Sequence, residues 1–338
     1  MTSSVKYKKQ KNYKSYEIDG DLQGEWVLEE KSQLKNEAIP KVEEYKNGDV
    51  NAKSRRGYFV IFNHLKFSGA AGEVNSKRDG TEHDLERVFT ELEFEVHTYH
   101  DLTKKEVEST LQKYENCNMD DCEMFGLALL THGDAQGIVS AKDKMLHISS
   151  FIDPIKSNPT LVGKPKLFFI QACRGQGYMN GVNIVDTSAP DGLAIEGNDD
   201  DIDPEEDEDL AERLRLGIPK DADILVHFAQ SEGYTSTRNP YVGSTFIIAL
   251  CYFLRYAYQL ELHQILVRTN SLVALRETST YDPASDRKKQ MPVIQSQLTK
   301  LLYLKPRKNK KSSLEQLKLE RENVKVENNV PSWLCKIQ

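Results

Sequence analysis

The sequence predicts an α/β protein, a mostly parallel sheet lying between helices on both faces. Three observations carry that expectation. Short apolar runs recur at 57–62 (GYFVIF), 94–99 (FEVHTY), 125–131 (FGLALLT), 166–171 (KLFFIQ) and 223–228 (DILVHF). Segments of helical character, 82–92 and 104–114, fall between them, and alternation of this kind builds parallel sheets. Several runs are continuously apolar, as expected of strands covered on both faces.

Taken in order, residues 1–56 are rich in Lys, Glu, Asn and Ser and have little hydrophobic periodicity, so they read as a mobile arm. Ordered structure is expected from Gly57. After the fifth apolar run come helical patterns at 244–258 and 263–276, and Pro292-Val293-Ile294 opens a last strand-like piece. One stretch interrupts the order: 196–212 reads EGNDDDIDPEEDEDLAE. Like charges at that density repel and bury nothing, so disorder is expected there. It sits in a connection from 178 to 217, far longer than the roughly 2–6 residues that usually join such elements. A long acidic insertion in a compact domain is functional, cut, or merely solubilising.

The chain has 338 residues and a formal net charge of −7. That length holds one large domain or two ordinary ones. The acidic balance argues against a nucleic-acid partner. No apolar stretch reaches the roughly 20 residues that span a bilayer, and the lysine-rich start lacks the apolar core of a secretory signal, so neither membrane nor export is expected. Five irregularly spaced cysteines fit reduced thiols and a cytoplasmic location better than a disulfide framework. Cys117 and Cys122 lie close together without the histidines of a zinc site, Cys251 falls in an apolar helix, and neither a metal nor a cofactor is expected.

Cys173 differs from these. It falls just past the run ending at Gln171, where open α/β sheets place their ligands. A second run ends on His132-Gly133. If the two strands are neighbours, a thiol and an imidazole meet at one sheet end, and histidine can stabilise the thiolate and protonate a leaving amine. The Gly133 and Cys173 N–H groups could share a carbonyl oxygen as an oxyanion hole. The competing explanation is an unrelated buried cysteine and core histidine.

Gln171-Ala172-Cys173-Arg174-Gly175 resembles the caspase active-site pentapeptide, whose histidine lies about 50 residues upstream. Leu130-Thr131-His132-Gly133 is similar to the family's histidine motif, with Thr where Ser is usual. Arg78-Asp79-Gly80-Thr81 followed by Asp84 resembles Arg-x-Gly-Thr-x-x-Asp, although the helix after it is about three residues short. Ser236-Thr237-Arg238-Asn239 and Gly243-Ser244 match the segment lining the substrate groove. The resemblance runs from about Gly57 to Leu304. It implies a caspase-like three-layer sandwich and a cysteine endopeptidase cutting after aspartate, with Cys173, His132 and Gly133 at the reacting bond. Arg78 and Arg238 would clamp the aspartate carboxylate, Gln171 would add a hydrogen bond, and Ser236 and Asn239 would bind substrate. Guanidinium forks suit a carboxylate. The third catalytic group is a backbone carbonyl in this family, and Ser76 is the candidate.

The resemblance also implies a zymogen: a prodomain arm 1–56, a large subunit 57–186, an acidic cleavable linker 187–217 and a small subunit 218–304; the extension 305–338 departs from the family pattern and reads as a disordered or peripheral tail rather than a docking helix. Asp186, in Asn183-Ile184-Val185-Asp186-Thr187, is the candidate processing site, aspartates from Asp191 to Asp209 are secondary ones, and Asp19 is a candidate for arm removal. The arm is too short for a recruitment module of about 80–100 residues, which points to an executioner of apoptosis. Implied partners are protein substrates with exposed Asp-containing loops, an upstream activating protease, and a second copy meeting at the strand near Val293. Where executioners carry aromatic groove walls, this chain has Thr235, Thr237 and Thr245. A catalytically weak or non-catalytic homologue acting as a binding partner is the alternative. Retention of Cys173, His132 and Gln171 argues against it. A cysteine peptidase of other specificity is a third reading, which Arg78 and Arg238 oppose.

Overall fold

The computed structural model describes residues 42–45, 54–69, 72–75, 81–181, 219–236, 238–239, 243–278, 280 and 283–305, with backbone alone at 69, 72–75 and 238–239. The chain separates into two units, Met1–Val42 and Glu43–Gln338, and every described strand and helix belongs to the second. Its strands are β1 (Tyr58–Asn63), β2 (Lys66–Gly69), β3 (Gly72–Asn75), β4 (Glu95–His100), β5 (Phe125–Leu130), β6 (Ile138–Ser140), β7 (Met145–His147), β8 (Lys166–Gln171), β9 (Ile224–Phe228), β10 (Arg238–Asn239), β11 (Gly243–Ser244) and β12 (Val293–Ser296). Its α-helices are α1 (Glu82–Glu91), α2 (Lys104–Glu115), α3 (Ser149–Ser157), α4 (Thr245–Tyr256) and α5 (Leu262–Leu275).

Six strands form the central sheet in the order β12-β9-β8-β5-β1-β4. All neighbours are parallel except β12, which runs antiparallel to β9. The pleat sends alternate side chains to opposite faces, and here both faces are buried. Phe59, Ile61, Ala128, Leu130, Leu167 and Phe169 pack on one side with Phe89 of α1, Phe246 of α4 and Leu266 of α5. Val60, Phe62, Leu127, Leu129, Phe168 and Ile170 pack on the other with Leu111 of α2 and Phe151 of α3. The result is the expected α/β three-layer sandwich, with the continuous apolar runs as its interior strands.

Order extends further toward the N-terminus than Gly57. Tyr45, 8% exposed, gives its hydroxyl proton to Asp223, and Glu44 bridges Leu301. Arg56, 1% exposed, donates to the carbonyls of Leu92 and Lys305 and pairs with Glu123. A charged, non-periodic segment can dock through hydrogen bonds as well as through apolar area, and hydropathy does not register that. Residues 1–41 and 46–53, the segment 182–218 with its acidic run, and residues 306–338 lie outside the described residues.

Two hairpins and a helix are among the elements not expected. The hairpins β2–β3 and β6–β7 are too short to show alternation. Helix α3 carries Pro154, which reads as a breaker, but Phe151 and Ile155 are fully buried and hold it on the core. One expected strand starts a residue late. Asp223 has φ 64°, so the strand begins at Ile224, and the carboxylate of Asp223 accepts the Tyr45 and Thr299 hydroxyls.

Candidate active site

The register brings the two critical strand ends together. β5 lies beside β8 with Leu130 opposite Gln171, and the Thr131 N–H donates to the Gln171 carbonyl at 3.0 Å. His132-Gly133 and Ala172-Cys173 therefore leave adjacent strands at the carboxyl ends of the sheet. The sheet order reverses next door, between β1 and β5, and such switch points open crevices for ligands.

The two loops touch. An added Cβ at Gly133 would lie 2.3 Å from the Cys173 carbonyl oxygen and 3.0 Å from the Ala172 Cβ. Only glycine allows that approach. Among the described residues neither the Gly133 nor the Cys173 N–H is spent on a hydrogen bond. The turn after Gly133 is fixed by Ser140 N–H to the His132 carbonyl at 2.9 Å, Asp134 N–H to the Ile138 carbonyl at 2.8 Å and the Thr131 hydroxyl to the Ser140 carbonyl at 2.6 Å. His132 is exposed at the surface of this loop. Phe67 of β2 packs on its ring, with centroids 4.7 Å apart.

Cys173 is half-buried. Its Sγ lies 3.6 Å from the Ser236 hydroxyl and 3.7 Å from the Ser236 carbonyl. Gln171, 4% exposed, is held at both ends of its amide: Nε2 donates to Ser236 Oγ at 3.1 Å, and Oε1 accepts from Ser244 Oγ. The Ser244 oxygen also caps α4 by accepting from the Ile247 N–H at 3.3 Å. A helix start, a strand end and the thiol are thus tied through two serines. Gly175 needs its missing side chain, with φ 146° and an added Cβ only 2.4 Å from the Gly233 carbonyl carbon.

The structure gathers Gln171, Cys173, Gly133, His132 and Ser236 at one sheet end. Arg238 and Asn239 form β10 opposite Ser244 and Gly243 of β11, which sets their backbone beside the Gln171 anchor. Arg78, Ser76, Thr237, Asp186 and Asp19 lie outside the described residues. Of the threonines read as groove wall, Thr235 donates its hydroxyl to the Gly175 carbonyl at 3.3 Å, and Thr245 opens α4.

Sequence reasoning missed Gln230. Its Oε1 accepts the Ser231 and Met291 N–H groups at 2.9 Å each, and its Nε2 donates to the Thr235 carbonyl at 3.0 Å. It shapes the loop after β9. Phe67 was missed as well. The available signal was positional for Gln230, a polar residue just beyond the carboxyl end of a buried strand. Phe67 sits in a hairpin that had no signal.

A mostly parallel sheet covered on both sides, with a thiol and an imidazole-bearing loop at adjoining strand ends and a buried amide beside them, defines an α/β sandwich with a candidate thiol site at the carboxyl ends of its strands. The chain belongs to the caspase family: the caspase-domain family model matches residues 56–303. It is similar to caspase-7 of Gallus gallus, 35% identical over 254 residues, covering 73% of this chain and 76% of that one. It is similar to caspase-3 of Mesocricetus auratus at 33% identity over 254 residues, covering 73% and 83%. The crystal structure of caspase-1 from Spodoptera frugiperda matches with a TM-score of 0.66 at 29% identity, over 80% of this chain and 97% of that one. A caspase-type protease is what this family defines. Among the described residues no helix is long and apolar enough to cross a membrane.

Proposed function

We propose that the chain is a cysteine endopeptidase that cleaves after aspartate and is made as a zymogen. The observation that carries this reading is the contact of the Gly133 loop with the Cys173 carbonyl at the ends of β5 and β8. In the proposed reaction the Cys173 thiolate attacks the scissile carbonyl carbon. The carbonyl oxygen takes up negative charge and is received by the Gly133 and Cys173 N–H groups, the role of an oxyanion hole. His132, having taken the thiol proton, gives it to the leaving amine nitrogen as the C–N bond breaks. Water then hydrolyses the thioester and restores the thiol.

Specificity falls to Arg78, Arg238 and Gln171 around the aspartate carboxylate, with Ser236 and Asn239 binding further along the substrate. Two guanidinium groups suit a carboxylate because their donors match it bidentately. The fixed amide of Gln171 supports this, since its orientation is set before substrate arrives. Activation is assigned to a cut after Asp186 within the segment joining β8 to β9, made by an upstream protease, with arm removal after Asp19. Among the described residues β12 is an edge strand of the sheet, which supports pairing with a second copy. The executioner role and a cytoplasmic site of action belong to the same proposal, the latter supported by the cysteine usage.

The test is replacement of the nucleophile. Cys173→Ala should abolish cleavage of an Asp-ending peptide and self-processing while the fold stays intact. His132→Ala should lose several orders of magnitude in kcat, because the base and the leaving-group acid disappear together. Cleavage by Cys173→Ala protein would remove the assignment.

A further inference from the structure

Next to the thiol lies an ion pair that neither the aspartate clamp nor the core requires. Arg174 follows Cys173 directly. Its N–H donates to the Tyr234 carbonyl at 3.0 Å, and its carbonyl accepts from the Gly233 N–H at 2.6 Å. Its side chain is 16% exposed, lies over the Phe228 ring at 4.1 Å, and ends on one carboxylate oxygen of Glu232. The other carboxylate oxygen accepts the Gln136 N–H at 2.8 Å. Gln136 belongs to the turn that follows His132-Gly133. One side chain, carried by the loop after β9, therefore grips both the thiol loop and the imidazole loop.

We propose that Glu232 is a positioning residue whose two carboxylate oxygens set the spacing between Cys173 and His132. The proposal rests on the reading of the chain as a cysteine peptidase. Stability does not explain the arrangement: the Glu232 side chain is 49% exposed, and an ion pair so open to water adds little. Geometry does explain it. Gln136 has φ 59°, a left-handed conformation uncommon for residues other than glycine. An acceptor aimed at its N–H selects that turn over competing ones. At the other end, Arg174 is already pinned by the Phe228 ring and two backbone hydrogen bonds, so it is a firm anchor. Glu232 comes after the 182–218 segment in sequence, whereas Gln136 and Arg174 precede it. After a cut in that segment the bridge would be a non-covalent tie across the break.

The loss should be partial, because the Thr131–Gln171 hydrogen bond and the Gly133–Cys173 contact still join the loops. A shift of about 1 Å can cost up to about 100-fold in rate, so Glu232→Ala, with some of that shift, should lower kcat by about 10-fold. KM should change by less than about twofold, since the groups assigned to the carboxylate are untouched. Glu232→Gln keeps an oxygen for the Gln136 N–H and loses the charge facing Arg174, so its kcat should lie between wild type and Glu232→Ala. The experiment uses the full chain as wild type, Glu232→Gln and Glu232→Ala. It measures kcat and KM on an Asp-ending peptide, and amide hydrogen exchange at Gln136 and in β5 and β8. Faster exchange at Gln136 alone in Glu232→Ala, with the graded kcat loss, supports the role. Unchanged exchange at Gln136 overturns the bridge whatever the activity. Altered exchange with an unchanged kcat, or a loss carried by KM, overturns the positioning role. A wild-type chain without peptidase activity overturns the peptidase reading and the role with it.

Discussion

Gly133→Ala probes the contact on which the site depends. The added carbon would sit 2.3 Å from the Cys173 carbonyl oxygen, 3.0 Å from the Ala172 Cβ and 3.2 Å from the Ile138 carbonyl oxygen. Close carbon–oxygen contacts settle at about 3.3–3.6 Å. The two loops must therefore move apart by about 1 Å, and the nearest obstacle is backbone, which cannot swing aside as a flexible side chain would. Overpacking of this kind costs about 1–3 kcal/mol, so Tm should fall by several degrees, roughly 2–4 °C per kcal/mol for a domain of this size. Activity should suffer more. Displacing reacting groups by about 1 Å can cost 100-fold, and misaiming one oxyanion donor costs about 100–1000-fold in kcat. Steady-state kinetics on an Asp-ending peptide, beside thermal unfolding, separates the two effects. Gly181→Ala is the control, since among the described residues its Cβ would meet only the Lys289 side chain, at an ordinary 3.4 Å. A folded Gly133→Ala enzyme with wild-type kcat would refute the oxyanion role and the loop contact behind it.

Three further outcomes are expected. Burial pushes His64 and His227 down to about 4, against an ordinary 6.5, with Asp101 opposing the shift at His64 and the Asn270 hydrogen bond opposing it at His227. Both stay neutral in the fold and take a proton when unfolded, so stability should fall as pH drops from 6.5 toward 4, by up to about 3 kcal/mol per histidine; denaturant unfolding across that window should show the slope, and His64→Asn should reduce it by about one proton. Mass spectrometry of active protein should find a large fragment ending at Asp186; normal processing of Asp186→Ala would move the main site to a later aspartate. A positional-scanning peptide library should show strict aspartate at the cleaved position and relaxed choice beside it, because threonines supply far less apolar area than aromatic walls of about 150–250 Å²; a sharp preference for Val there would refute the reading of Thr235, Thr237 and Thr245.

The interior strands were legible because their environment imposes a simple pattern. β1, β5, β8 and β9 are buried on both faces, and nothing but apolar residues fills most of their positions. Cys173 and His132 could be singled out because each lies two residues beyond the end of such a strand. What escaped depends on partners far away in sequence. Tyr45 docks through a hydroxyl onto Asp223, and Pro154 is tolerated because Phe151 and Ile155 hold α3 to the core. Glu232 gains its meaning only when β9 returns beside β8 and sets it between Arg174 and Gln136. A lone glutamate in Ser231-Glu232-Gly233 carries no such signal.

The central claim is cleavage after aspartate by Cys173. The most direct measurement compares three fluorogenic peptides, identical except for a last residue of Asp, Asn or Arg, with wild-type and Cys173→Ala protein. The proposed clamp of Arg78 and Arg238 on a carboxylate predicts rapid release from the Asp peptide alone. The Asn peptide should be slower by orders of magnitude, because it leaves cationic donors without their charged partner. Cys173→Ala should release nothing. Equal cleavage of the Asn or Arg peptide, or no cleavage of the Asp peptide by the processed wild-type protein, would contradict the account.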